Sequence, residues 1–160
     1  MPKLVHNILV TVFEKNENKI QEHKEIFHKL LPVNFEKENV SVSIEAAEGF
    51  HQKSIYILRL KTDKKRHNTT LLDVLFSHLN DSDKKRIADQ YLSRLNQEGY
   101  FFIRLDKQSL QKNEFVLTES GDCYHFKIKL ASFPARWEGF VQTAQVLLTK
   151  YDCMKIDKTE

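Results

Sequence analysis

The sequence predicts an α+β fold: one mostly antiparallel sheet with helices packed on one face, in the order β-α-β-β-α-α-β-β-β-α. Three observations predict it. Strand-like runs follow one another without a helix between them, at 40–46 and 54–61 and again at 100–106, 114–118 and 123–132. A doubly wound parallel fold needs a helix between successive strands and is excluded. Several of these runs alternate apolar with polar residues, the pattern of a sheet covered on one side. Finally, 160 residues contain only 4 Gly and 3 Pro, which argues for long regular elements.

Each element has its own signal. Lys3 to Phe13 is rich in Val, Ile, Leu and Thr and reads as a strand. Asn16 is a plausible N-cap for a helix to Leu31, whose apolar stripe is Ile20, Phe27, Leu30 and Leu31, with Pro32 as the stop. Val40, Val42, Ile44 and Ala46 alternate with polar neighbours and predict a half-buried strand that ends at Glu48-Gly49. Ser54 to Lys61 pairs with it antiparallel. Lys64-Lys65-Arg66-His67-Asn68 reads as a basic loop, and Thr69 or Thr70 starts a helix with Leu71, Leu72, Leu75 and Leu79 inward. Asp81-Ser82-Asp83 caps a further helix to about Gln97, closed by Gly99.

Tyr100 to Asp106 is then a strand with Phe101, Ile103 and Leu105 on the core face. Glu114 to Thr118 is a short strand, Glu119-Ser120-Gly121-Asp122 a turn, and Cys123 to Ser132 the returning strand. Pro134 marks the junction to a last amphipathic helix, from Ala135 to about Tyr151. Residues 1–151 are expected to form a single domain and residues 152–160 a polar, disordered tail.

Composition sets bounds on function. With 25 Lys and Arg against 22 Asp and Glu, the formal net charge is +3. That balance does not establish a nucleic-acid partner, so the placement of charge matters more than its sum. No apolar run reaches the length of a membrane span, and the start lacks a long apolar signal region. Cys123 and Cys153 lie far apart in a Lys-rich chain, as in a reducing cytoplasm. A cytosolic protein without a membrane partner is expected. There is no Gly-rich phosphate loop, no Gly-x-Ser-x-Gly elbow and no His-Glu-x-x-His pair. His23 and His28 are five apart and fall on different sides of a helix, and Cys123 with His125 has no further ligands nearby. Cys123 has no identifiable base to make it a nucleophile. No metal, cofactor or catalytic residue is expected.

The informative chemistry lies between 100 and 136. Tyr100, Phe102, Arg104 and Asp106 share the strand face opposite the core set, and Lys107 and Gln108 follow at its end. Rings beside fixed cations stack bases and hold phosphates; a buried pair of rings above an Arg104–Asp106 ion pair is the structural alternative. In the returning strand His125, Lys127 and Lys129 alternate with the apolar Tyr124, Phe126, Ile128 and Leu130. They form either a phosphate-tracking stripe or an edge protected by lysine. Arg136 stands in the first turn after Pro134, beside free backbone N–H groups that suit a phosphate. Its alternative is an ion pair with Asp106, Asp122 or Glu138.

Arg104-Leu105-Asp106-Lys107-Gln108, then Gly121-Asp122, then Pro134-Ala135-Arg136 together resemble an archaeal family of predicted RNA-binding proteins. That family is associated with the exosome and shares the fold of the ribosomal protein that holds 5S RNA. The resemblance covers Lys3 to about Leu148. It implies an α+β fold, RNA binding without catalysis, and roles for Arg104, Asp106, Lys107, Gln108, Gly121, Asp122, Pro134 and Arg136. The chain departs from the family where a Gly-rich, Pro-containing segment is expected after a Glu. Here Glu48-Gly49-Phe50-His51-Gln52-Lys53 has one Gly and no Pro.

The expected function is non-catalytic RNA binding by a basic and aromatic sheet face, in RNA processing or ribosome-related assembly. Exosome or ribosomal proteins are its expected protein partners. Arg104, Lys107, Lys127, Lys129 and Arg136 would hold phosphates, Gln108 a base edge or 2′-hydroxyl, and Tyr100 or Phe102 would stack. Asp106, Gly121, Asp122 and Pro134 would orient these groups or build turns. Two rivals remain: a protein-interaction module of an RNA-processing complex, and an RNA-acting enzyme with a metal on Asp106 and Asp122.

Overall fold

The structure, a computed structural model, describes residues 3–48 and 54–155. Five antiparallel strands form one sheet: β1 (Val5–Glu14), β2 (Ser41–Glu48), β3 (Ser54–Thr62), β4 (Tyr100–Asp106) and β5 (Cys123–Leu130). Their spatial order is β2-β3-β1-β5-β4, so β1 is central, β3 and β5 flank it, and β2 and β4 are the edges. The helices are α1 (Ile20–Leu30), α2 (Lys65–His78), α3 (Asp81–Asp89), α4 (Lys107–Gln111) and α5 (Trp137–Lys150).

Period-two alternation decides which side of the sheet is covered. Ile8, Val10 and Val12 of β1, Leu58 and Leu60 of β3, Phe101, Ile103 and Leu105 of β4, and Tyr124, Phe126, Ile128 and Leu130 of β5 are all buried. They share one face and meet Phe27 and Leu30 of α1, Leu71, Leu72 and Leu75 of α2, and Phe140, Ala144, Leu147 and Leu148 of α5. Among the described residues the opposite face carries no helix. The α+β architecture, the antiparallel sheet and the single helical layer are as the sequence predicts.

Five local expectations change. The basic stretch 64–68 is not a loop, because α2 starts at Lys65 rather than at Thr69 or Thr70. Glu38 draws it in: its carboxylate accepts from Arg66 and His67 at 2.7 and 2.8 Å, and its carbonyl from Lys64. Asn68 is buried and bonds Thr62 and the carbonyl of His6. The helix expected from 81 to 97 ends at Asp89. Beyond it Arg94 turns inward, donating to Gln90, Glu119 and the carbonyl of Phe102, and the chain continues as turns. Gly99 therefore caps no helix. Its φ of +88° serves the turn into β4, and a Cβ there would stand 2.5 Å from the Phe140 ring.

Residues 114–118 are a single bridge, Leu105 to Leu117, rather than a strand. The short helix α4 occupies residues for which the sequence predicts no element, because Asp106 caps it by accepting from the Ser109 N–H and hydroxyl. Finally β2, expected to be half-buried, is an edge strand with Ile44 43% exposed. The helical layer does not extend over it. Of the expected tail, residues 152–155 are described, and Cys153 is buried with its N–H on the Leu148 carbonyl. Residues 156–160, and the 49–53 segment where the family pattern is lost, lie outside the described residues.

Candidate nucleic-acid interface

The uncovered face owes its chemistry to strand register. Opposed residues of an antiparallel pair point to the same side. Lys61, Leu9, Lys127 and Phe102 therefore form one row across β3, β1, β5 and β4. Arg59, Thr11, His125 and Arg104 form the next row. Asn7, Lys129 and Tyr100 form a third. At about 4.8 Å per strand, Arg59 and Arg104 stand roughly 14 Å apart across the sheet.

The rings are held by the cations between them. Lys127 Nζ lies 4.2 Å and Lys129 Nζ 4.9 Å from the centre of the Tyr100 ring. Lys129 also donates to the Glu98 carbonyl. His125 stacks on Phe102, with centroids 5.4 Å apart and planes 13° apart. Burial first, and then Arg104 and Lys127, lower the His125 pKa, so the imidazole is neutral near pH 7. Tyr100, Phe102, Arg104, His125, Lys127 and Lys129 are all partly exposed. Phe13 adds a ring that is 53% exposed.

Among the described residues no carboxylate pairs with Arg104, Lys127, Lys129 or Lys61 within 4 Å. The ion pairs among the described residues are formed by other groups, apart from Arg59 with Glu45, and Glu119 at the rim is taken by Arg86 and Arg94. The Arg104–Asp106 ion pair is absent from that set because the Asp106 carboxylate is engaged by Ser109. These hydrogen bonds hold its pKa below the usual value, the hydroxyl contributing most.

Two shallow grooves flank Arg104 and His125. One, about 350 Å³, is lined by Thr11, Phe13, Arg104, Gly121, Asp122, Cys123 and His125. It brings the Gly121-Asp122 turn to the rim of the basic face. Gly121 has φ +84°, open to glycine without strain. The other, about 340 Å³, lies between Phe102, Arg104, His125, Glu119 and the Gln90–Arg94 turn. Burial raises the Cys123 thiol above its ordinary pKa despite Arg104 nearby, which favours the neutral thiol. Among the described residues no group of three or more His, Cys, Asp or Glu is placed to hold a metal.

The structure does not gather every residue singled out by the sequence. Lys107 turns to the other side. Its Nζ donates to the Phe13 carbonyl at 2.6 Å and lies 3.2 Å from Glu14 Oε1, nearly buried. Gln108 is exposed on α4, outside the three rows. Arg136 is exposed at the N-cap of α5, one loop beyond Lys129, with Pro134 in that loop. The stripe lies on β5, an interior strand paired on both sides, so lysine protection of an edge does not explain it. Arg59, Lys61, Leu9, Thr11 and Phe13 complete the face. Alternation in β3 sets Arg59 and Lys61 opposite Leu58 and Leu60, but sequence did not show that β1 joins β3 to β5.

A family model described as "RNA binding" matches residues 7–130. RNA-binding protein PAB1135 of Pyrococcus abyssi is 24% identical over 147 residues, covering 92% of this chain and 96% of that protein. Two solved structures share the fold. Protein AF2318 of Archaeoglobus fulgidus superposes with TM-score 0.76 at 20% identity, over 89% of this chain and 99% of that one. Mth689 of Methanothermobacter thermautotrophicus, a DUF54 protein, gives 0.71 at 24% identity, over 91% and 99%. The match covers the sheet from β1 to the end of β5, and by it the chain belongs to this RNA-binding family.

Proposed function

We propose that the protein binds RNA without catalysis and that the uncovered sheet face is its contact surface. One observation carries the reading: Arg104 on β4 and Lys127 and Lys129 on the adjacent β5, with Lys61 further along the same face on β3, stand beside exposed rings and, among the described residues, have no carboxylate within ion-pair distance. Such an array costs stability through like-charge repulsion and is offset by bound phosphates. The rings favour RNA with unpaired bases, since a stacked duplex offers them no free base face. The family description and the name of the Pyrococcus relative support RNA as the ligand. Arg104, Lys127, Lys129, Arg59 and Lys61 take phosphates, while Tyr100, Phe102 and Phe13 take bases. Arg136 extends the track past Lys129, and Gln108 reaches a base edge or 2′-hydroxyl from the far rim. Lys107 supports the face from behind. A setting in RNA processing or ribosome-related assembly, with exosome or ribosomal proteins nearby, is part of the proposal and rests on the family resemblance.

The test compares wild type with the Arg104→Ala/Lys127→Ala double variant. Binding to single-stranded, duplex and structured RNA is followed over a salt series. For about five phosphates on a single strand, log affinity falls with log salt at a slope near −3.5, and the double variant lowers it to about −2. A wild-type slope near zero, or no wild-type binding to any RNA, overturns the proposal.

A further inference from the structure

The two edges of the sheet are finished differently. Along β4 the outer backbone groups are taken. Phe102 N–H donates to Arg94, Asn96 N–H to Tyr100, Asp106 N–H to Val116 and Thr118 N–H to Arg104. Among the described residues nothing comparable covers β2. Its ladder to β3 runs without a bulge from Ser41–Lys61 to Glu48–Ser54. It holds no Pro and no Lys, the residues that ordinarily blunt an edge.

We infer that β2 pairs antiparallel with β2 of a second copy, about a two-fold axis through Ile44. Opposed residues must share a face, so the axis must pass through a residue. Centred on Ile44, the ladder sets Ile44 against the partner's Ile44, Val42 against the partner's Ala46, and Ser43 against the partner's Glu45. Centred on Glu45, it opposes two like charges and sets Val42 against the partner's Glu48. Centred on Ser43 or Ala46, it shortens to five residues. Charge and length therefore select one register.

The surroundings of Ile44 suit that register. Ile44 is 43% exposed and forms, with Val42, one wall of a groove of about 250 Å³ over Phe27 and Phe35. Two Ile44 side chains meeting at the axis cover that wall in both copies. On the other face Arg59 stands opposite Ser43 and already holds Glu45 at 2.8 Å. The partner's Glu45 arrives on the far side of the small Ser43. Each Arg59 then lies between two carboxylates, and charges alternate around the axis. The axis is normal to the sheet, so both uncovered faces lie on the same side of a ten-stranded sheet. An interface of one strand pair buries less than about 1,200 Å² and makes a weak, concentration-dependent dimer.

The test is sedimentation of the full chain from about 10 μM to about 1 mM, a range that brackets a weak dimer. Wild type is expected to dimerise within it. Ile44→Lys should weaken the dimer at least tenfold (about 1.4 kcal/mol) with an unchanged circular dichroism spectrum. Glu45→Lys should also weaken it, and Glu45→Lys/Arg59→Glu should restore it. Amide exchange in 41–47 of wild type should slow as concentration rises. A wild-type monomer at the highest concentration, a dimer that Ile44→Lys leaves intact, or exchange independent of concentration overturns the inference.

Discussion

Two polar clusters stand on opposite sides of the same sheet and are built on opposite terms. Behind it, Glu14, His23, Lys107 and Tyr124 form a closed set. Glu14 Oε1 accepts from His23 Nε2 at 2.7 Å and faces Lys107, its Oε2 accepts from the Asn16 N–H, and His23 Nδ1 accepts from the Tyr124 hydroxyl. Charges cancel there, and the donors have partners. In front, Arg104, Lys127 and Lys129 stand together with rings and, among the described residues, form no ion pair, although Asp122 and Glu119 lie at the rim. The first arrangement explains itself as fold: it ties the end of β1 to α1, α4 and β5. The second cannot be explained by stability, and this is the physical ground for reading it as a binding surface.

Substitutions that separate stability from binding test this contrast. The largest effect is expected behind the sheet. Lys107→Met strands the Glu14 carboxylate and should cost about 3 kcal/mol in urea unfolding, with RNA affinity of the folded protein unchanged. A loss of affinity without a loss of stability would move Lys107 into the binding surface.

Acid should act through the same cluster. His23, Asn16 and Lys107 outweigh the burial of Glu14 and hold its carboxyl down at about 2. That contribution is fully present above about pH 4.5 and is lost as pH falls toward 2. Burial, against the pull of Glu14, lowers the His23 pKa, so its contribution too is present above about 6.5 and lost on acidification. Glu14→Gln should flatten the acid limb of the stability curve by about 2 kcal/mol. An unchanged limb would remove Glu14 from the acid response.

In front of the sheet the effects should fall on binding. Phe102→Ala removes a stacking ring and should cost about 1.5 kcal/mol of affinity for a short single strand, roughly tenfold, while Phe102→Tyr retains it. The smallest effect is expected for Lys127→Ala. It should change stability by less than about 0.5 kcal/mol, and should reduce the salt slope by about 0.7. A slope that does not change would place no phosphate at Lys127.

The front face was more legible in the sequence than the back. Tyr100 to Asp106 and Cys123 to Leu130 are covered on one side only, so the core demands an apolar residue at every second position, and the remaining residues declare themselves. Lys107 was misread although alternation, carried one residue past β4, already sets it on the side of Phe101, Ile103 and Leu105. What the sequence did not show is that Glu14 and the Phe13 carbonyl wait there to receive its ammonium, a pairing more than 90 residues away. Lys64 to Asn68 misled for a different reason. The group that folds it down, Glu38, lies 26 or more residues away, and long-range pairing leaves no local trace. Arg59 and Lys61 were visible as the outer residues of a strand, but their place on the same face as the β5 stripe, across β1 from it, required the order β2-β3-β1-β5-β4.

The central claim is that RNA lies on the uncovered face, and a titration of isotope-labelled protein with a short single-stranded RNA, followed residue by residue by NMR, tests it most directly. Shifts confined to the Tyr100–Arg104, His125–Lys129, Leu9–Phe13 and Arg59–Lys61 rows, with Glu14, His23 and Lys107 unmoved, are predicted. Shifts centred on α2 and α5, with those rows unmoved, would contradict it.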